Sequence, residues 1–364
     1  MIIDKHVDAV IGLQYGDEGK GKITASIAEQ YEYDLNARYN GGPNAGHSIH
    51  KRNGAHYELH QIPSAVAFEQ LAYIGPGCVI DLPKLKKEIE DFKRVEGIDP
   101  LDYLTISKKV PLITSEHKDI DTKYHALHQG STSSGIAPAY SDFYNRKCTL
   151  VTQNQIEQHL NSSNLLYDHE HVEDLLLEGA QGFYLDPHNN YPYVTSSFSH
   201  PGYAAANFPF ALNKFRHIIG VAKCYETRSG IDPNFMNQFE AGDFLKAAIS
   251  FSTQDFEDFK KIQNYAKEVG VTTGRKRQVR YLCVERLIHA IQSTGTTIVV
   301  INKWDILDEL GIHYFVLKNK IFKFNNSIDM FLSLKNILKT HCTNIEVIYS
   351  ASPFNDIDWS AYLE

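Results

Sequence analysis

The chain is poor in the features that mark several broad classes of protein. Cysteine is sparse, with five residues, at 78, 148, 224, 283 and 342, in a length of 364. Their odd number and the lack of any C-x-x-C pair argue against a disulfide frame or a cysteine-ligated zinc and fit reduced thiols. Apolar runs are short, and none approaches the roughly eighteen residues of a membrane span. The opening MIIDKHVDAV has no signal-peptide pattern, so a cytoplasmic protein with no membrane partner is expected. Excess positive charge is also missing: the formal net charge is −8. That disfavours a general nucleic-acid surface, so any phosphate site must come from a local basic cluster. Repeats, low-complexity segments and linkers are absent too. One domain spanning residues 1–364 is expected of a chain long enough to bury a large core.

What is present is an alternation of buried strands and amphipathic helices. VDAVIGL (7–13), LAYIGPG (71–77), DLLLEGAQG (174–182), HIIGVAKCY (217–225), TTIVVINKWD (296–305) and IEVIYSAS (345–352) read as strands. Helical patterns occupy 22–31, 82–95, 255–269 and 284–294. This order predicts an α/β fold, a mostly parallel central sheet with helices on both faces, like that of phosphate-loop NTPases. The polar, turn-rich stretches at 36–62, 128–147 and 183–207 are expected to be long active-site loops.

Between the first strand and first helix lies YGDEGKGKIT (15–24). Residues Gly16, Asp17, Glu18, Gly19, Lys20, Gly21 and Lys22 fit G-x-x-x-x-G-K, whose glycines let backbone N–H groups close on phosphate. Ile23 stands where a magnesium-holding Ser or Thr usually follows. An acid inside an anion cradle is hard to explain by binding. It is easier to explain as a base where phosphate meets a second substrate.

INKWD (301–305) is the second signal. N-K-x-D at the end of a buried strand suits guanine: the Asp305 carboxylate can accept from N1–H and the 2-amino group, with the Lys303 stem along the base. NGGPNAGHSIH (40–50) makes a tight turn presenting Asn44 and His47, with no apolar face for the imidazole to fill. GVTTGRKRQVR (270–280) sets Thr272, Thr273, Gly274 and Arg275 before Arg277, a pattern suited to a small carboxylate or phosphate. EGAQG (178–182) and YPYVTSS (191–197) are glycine- and hydroxyl-rich loops, and DHEH (168–171) reads as solvated surface.

Together with STSSGIAPAYSDFYNR, a TR before glycine and a final SASP, these motifs in this order resemble the adenylosuccinate synthetase family over nearly the whole chain. The resemblance implies a magnesium-dependent homodimer that uses GTP to join L-aspartate to C6 of inosine monophosphate (IMP). Asp17 matches the base that removes the purine N1 proton, His47 the general acid, and Lys20 a third catalytic residue. Gly16, Glu18, Gly19, Gly21, Lys22, Arg277, Lys303, Asp305 and Ser350 match GTP positions. Asn44, Thr132, Gln181 and Thr195 match monophosphate positions, as does Arg146, which reaches the partner subunit's ligand. Thr272, Thr273, Gly274 and Arg275 match aspartate positions, and Asp17 with the Gly46 backbone matches the magnesium ligands.

The chain also departs from that family. Ser133 and Ser134 replace a Gly-Arg pair, Pro43 replaces a His, and the stretch between Arg146 and Glu178 is short. Archaeal members and a phage branch share the shortness, and the phage branch acts on dGMP, in a host cytoplasm. That branch carries serine at the base position, so Asp17 favours IMP, with dGMP the alternative acceptor. A signalling GTPase or an inactive nucleotide-binding module accounts for fewer of the motifs.

Overall fold

The computed structural model describes residues 1–124, 131–208, 210–230, 232–233, 235, 251–270, 274–354 and 356–363. Among them, strands run in chain order as β1 Ile2–Gly12, β2 Leu35–Arg38, β3 His47–His50, β4 His56–Leu59, β5 Ala72–Ile74, β6 Leu104–Ile106 and β7 His171–Glu178. They continue as β8 Phe215–Lys223, β9 Tyr225–Arg228, β10 Gln278–Cys283, β11 Ile298–Asn302, β12 Tyr314–Leu317, β13 Lys320–Lys323 and β14 Glu346–Tyr349. Eight form the main sheet in the order β14-β11-β8-β1-β7-β2-β5-β6, and the pairings are parallel.

Alternation along each central strand shows why both faces are covered. Val7, Ala9 and Ile11 of β1 enter one core and Val10 enters the other. Ile23 and Ile27 of helix Lys20–Gln30 cover the second face; Leu287 and Ile291 of helix Val284–Thr294 and Leu334 and Leu338 of helix Ser327–His341 cover the first. The expected α/β architecture is thus the observed one. The connections from β1 and β8, neighbours in the sheet, leave in opposite directions. A crevice opens at the carboxyl ends of strands at such a switch point, where ligands bind in open α/β sheets.

Three stretches expected to be loops carry structure. The first, 36–62, holds most of β2 and the antiparallel β3–β4 hairpin. Ile49, Tyr57 and Leu59 turn inward while His50, His56 and Glu58 stay on the other face, an alternation of period two hidden among polar residues. β2 reads LNAR and is buried along its length although two of its four residues are polar. Within 128–147, Ile136–Tyr144 is helical, and 183–207 contains helix Pro201–Asn207. A second sheet, in the order β13-β12-β10-β9, was also not anticipated. DHEH is less solvated than expected: Asp168 accepts from Tyr73 Oη at 3.0 Å, Ser107 Oγ at 2.9 Å and Lys108 N at 3.2 Å.

Candidate active site

A cavity of about 640 Å3 lies at this crevice. Its first wall is the turn after β1. Gly16, Asp17 and Gly19 all have positive φ, at 86°, 60° and 96°, which winds the chain tightly into helix Lys20–Gln30. That helix has no side-chain cap, so its first N–H groups remain available to an anion. A Cβ on Gly21 would lie 2.6 Å from His47 Cβ, so only glycine lets the helix approach β3 this closely.

The carboxylates in this turn have different tasks. Glu18 is fully buried and folded back on its own loop, accepting from Gln14 N at 3.1 Å, Gly16 N at 2.9 Å and Lys20 Nζ at 2.6 Å. Its side chain braces the cradle from within. Asp17 points the other way, toward the cavity. Its Oδ2 lies 2.8 Å from Arg277 Nε and 3.3 Å from Ser229 Oγ. The guanidinium offsets the repulsion that a carboxylate would exert on phosphate.

His47, at the start of β3, is buried and bonded through Nδ1 to Glu178 at the end of β7. Glu178 also accepts from Ser64 N at 2.7 Å and Ser64 Oγ at 2.6 Å. Burial opposes its charge, but His47, Arg38 and Ser64 outweigh burial and hold its carboxyl at about 2. Burial in turn lowers His47 to about 4, against the pull of Glu178. The charge therefore rests on Glu178. The imidazole donates from Nδ1 and carries its lone pair on Nε2.

The guanine-type element forms the far end. Asn302 closes β11, Lys303 is left-handed at φ 73°, and Asp305 enters the first turn of helix Trp304–Leu310. Trp304 is buried and stacked on Tyr349, with ring centroids 5.3 Å apart, anchoring the turn. Burial raises the Asp305 carboxyl, with Lys303 and Lys22 opposing. Asn302 Nδ2 donates to Glu18 O at 2.9 Å, tying this element to the phosphate loop. Burial lowers Lys22 despite Asp356 nearby. It reaches Ser350 Oγ at 2.5 Å and also the Ser352 carbonyl.

The second wall comes from loops. Asn44, Gly46, Thr132, Gln181, Thr195, Arg275 and Arg277 line the same cavity, with Gly16 to Lys22, His47, Lys303 and Asp305 across it. The Asn44 Oδ1 is buried with no hydrogen-bond partner among the described residues. Three expected positions fall outside this set. Ser350 is buried behind Lys22, and Ser352 and Pro353 line the cavity instead. Gly274 does not reach the lining, and Arg146 stands on the exposed surface beyond helix Ile136–Tyr144, at φ 60°. Thr272 and Thr273 lie outside the described residues. Ser134, one of the two unusual loop serines, is fully buried; it meets Lys84 Nζ at 3.1 Å and Thr132 Oγ1 at 3.0 Å.

Four residues with evident parts were not singled out from the sequence: Glu178 behind His47, Glu268 behind Arg277, Arg228 on the wall and Asn302 between the two nucleotide elements. EGAQG begins with Glu178, the TR before glycine contains Arg228 and INKWD contains Asn302, so those three were within quoted motifs. Glu268 acquires its partners only through folding.

A parallel sheet, a phosphate loop at its switch point and an Asn-Lys-x-Asp turn facing that loop define a purine-nucleotide enzyme of the α/β class. Comparison makes this particular. The sequence matches the adenylosuccinate synthetase family profile over residues 9–165 and 152–341. The adenylosuccinate synthetase of Syntrophomonas wolfei is 33% identical, with 83% of this chain and 78% of that protein covered. The fold is also that of the fully ligated Plasmodium falciparum adenylosuccinate synthetase, at TM-score 0.76 and 23% identity over 96% of this chain and 98% of that one. The cyanophage S-2L succinoaminodeoxyadenylate synthetase, bound to dGMP and to dATP as an energy donor, aligns at TM-score 0.65 and 21% identity over 92% and 99%. The chain belongs to the adenylosuccinate synthetase family, and is a GTP-dependent ligase of purine nucleotide synthesis.

Proposed function

We propose that the chain, acting as one domain, joins L-aspartate to C6 of IMP at the expense of GTP, giving adenylosuccinate, GDP and phosphate. The observation that carries this is Asp17: an acid held at positive φ inside a phosphate cradle, facing the cavity and ion-paired to Arg277. Asp17 takes the N1 proton of the hypoxanthine. The O6 so charged attacks the γ-phosphorus, and the β–γ bridging bond breaks to release GDP. The aspartate amine then adds at C6 and phosphate departs. His47, once its Nε2 takes up a proton as the phosphates enter, and Lys20 stabilise the charge that gathers on the phosphates.

Asp305, Lys303, Lys22 and the cradle residues hold GTP, with Ser350 acting by bracing Lys22. Asn44, Thr132, Gln181 and Thr195 hold the monophosphate, and Thr272, Thr273, Gly274 and Arg275 the aspartate. Magnesium fits the cradle. Among the described residues no group of three His, Cys, Asp or Glu side chains could hold an ion alone, so the Asp17 carboxylate and Gly46 carbonyl would share it with substrate phosphates, as this hard cation prefers. When bound it neutralises phosphate charge. Arg146 is exposed beside exposed Phe143 and Tyr144, which suits a homodimer in which it completes the partner's site. Among the described residues no helix is long and apolar enough to cross a membrane. The five free thiols suit the cytoplasm.

IMP is preferred over dGMP because a carboxylate at position 17 is the stronger base. The Ser134 hydroxyl, turned to Lys84 and Thr132, gives no reader for a 2-amino group. The deciding experiment is a substrate matrix of IMP, dIMP, GMP and dGMP, each with aspartate and with GTP or ATP. Highest kcat/KM is expected for IMP with GTP; a clear preference for dGMP overturns the acceptor, and equal rates with ATP overturn the donor.

A further inference from the structure

Behind Asp17 runs a chain of buried charges. Arg277 Nη1 donates to Glu268 Oε2 at 2.6 Å, and its Nε lies 2.8 Å from Asp17 Oδ2 in ion-pair contact without hydrogen-bond alignment. The other Glu268 oxygen accepts from Tyr225 Oη at 2.7 Å and faces Lys223 Nζ at 3.3 Å. Lys223 also donates to Thr227 Oγ1. Glu268 is 2% exposed and Lys223 fully buried. Burying such charges costs as much as their attraction returns, and well-packed apolar side chains of similar volume would serve stability equally well. The network therefore calls for a reason other than stability.

The geometry of the shared guanidinium supplies one. An arginine facing a lone carboxylate closes on it with two parallel N–H groups and occupies both oxygens. Here Arg277 does not: Glu268 holds its Nη1, and its Nε has no aligned hydrogen-bond acceptor among the described residues. Its nearest contact with Asp17 is from Nε to Oδ2, the oxygen that also accepts from Ser229 Oγ. The clamp is also stiff. Arg277 N donates to Glu268 O at 2.9 Å, Val269 and Lys276 pair as an antiparallel bridge, and Gln263 Nε2 donates to Arg277 O at 2.5 Å.

We propose that Glu268 is a positioning residue of the ligase reaction: it holds Arg277 off a two-point clasp of Asp17, so that Oδ1 is left to receive the purine proton. Lys223 balances the Glu268 charge. The inference rests on Asp17 as the proton acceptor and deepens that reading by naming what keeps the acceptor unblocked.

The test is a double-mutant cycle, read by kcat, by the KM for each substrate and by direct binding of a fluorescent GTP analogue. The unsubstituted protein must first turn over IMP, aspartate and GTP; if it does not, the functional reading has failed rather than the clamp. Glu268→Gln lets Arg277 swing onto both Asp17 oxygens, and kcat is expected to fall by about tenfold or more while GTP binding stays within about threefold. Glu268→Asp should recover part of the loss. The decisive arm replaces Arg277 by lysine, which has no fork with which to close on two oxygens. In the Arg277→Lys background Glu268→Gln should cost little further activity. Should Glu268→Gln alone fold poorly, Lys223→Met removes the unbalanced charge and the cycle is read in that background. The proposal is overturned by an unchanged kcat, by a loss of kcat matched by a loss of GTP binding, or by the same loss in both arginine and lysine backgrounds.

Discussion

The two walls of the cavity are held together by different means. On the side of the phosphate loop and the Asn-Lys-x-Asp turn the contacts span the chain: Asn302 to Glu18 crosses 284 residues and Lys22 to Ser350 crosses 328. On the side of the loops several stay local. Ser197 to Gln181 spans 16 residues, Thr195 to Leu185 spans 10 and Ser131 to Asp121 spans 10. The first wall is thus part of the fold itself, set by strand ends that the sheet fixes. The second is a group of loops satisfied in part by their own neighbours, with the Asn44 oxygen buried and unmatched among the described residues. Loops of that kind can change between relatives without disturbing the sheet, and the departures from the family pattern at Ser133, Ser134 and Pro43 all fall there.

This contrast can be broken in steps. The largest effect is expected at Asp17, which belongs to the first wall but is proposed to act on the ligand of the second. Asp17→Asn should lower kcat about a thousandfold or more, as for loss of a general base; a variant retaining a tenth of the activity would show that the proton leaves by another route. Next comes Asp305→Asn, which should cost GTP about a hundredfold in kcat/KM and favour xanthosine triphosphate, a charged hydrogen-bonded pair being worth 1.5–3 kcal/mol. KM for IMP should not move if the walls are independent. A rise in step with the GTP defect would show them coupled.

Smaller effects sharpen the contrast. Arg146→Leu and Asp17→Ala chains should each be nearly inert alone. Mixed in equal amounts they should regain about a quarter of full activity, since half the dimers then hold one intact site of two. No recovery, with subunit exchange shown by labelled chains, would place Arg146 outside the reaction. Least of all is expected from Ser134→Ala. With its hydroxyl turned away from the cavity, kcat/KM for IMP should change by less than about threefold. A larger change, or one confined to dGMP, would mean that the loop turns over when substrate binds.

Legibility in the sequence followed the same divide. Phosphate loop, first helix and Asn-Lys-x-Asp turn are each contiguous stretches of sequence, and each motif carries its own geometry, so they could be read directly. The central strands were equally plain because burial on both faces leaves an unbroken apolar run, as in TTIVV. β2 was missed because Asn36 and Arg38 are polar yet buried, their bonds going to Gln70, to Leu71 O and to His60 O. The His47–Glu178 pair could not be read from spacing, since 131 residues separate its members and only the adjacency of β7 to β1 brings Glu178 to the cavity. Glu268 and Arg277 are nine residues apart, but nothing in a charged, turn-rich stretch says which acid faces which base. Ser350 was placed a step too near the base because the final motif gave a residue type without saying whether Lys22 would come between.

The bond from Asn302 to Glu18 joins the element proposed to read a base directly to the loop proposed to grip a phosphate. The two therefore act as the jaws of a caliper. A nucleotide is tested for the distance from its ring edge to its terminal phosphate as well as for the chemistry at either end. Pyrimidine triphosphates, whose single ring stops short, and diphosphates, whose chain ends early, would each touch one jaw and leave the other open.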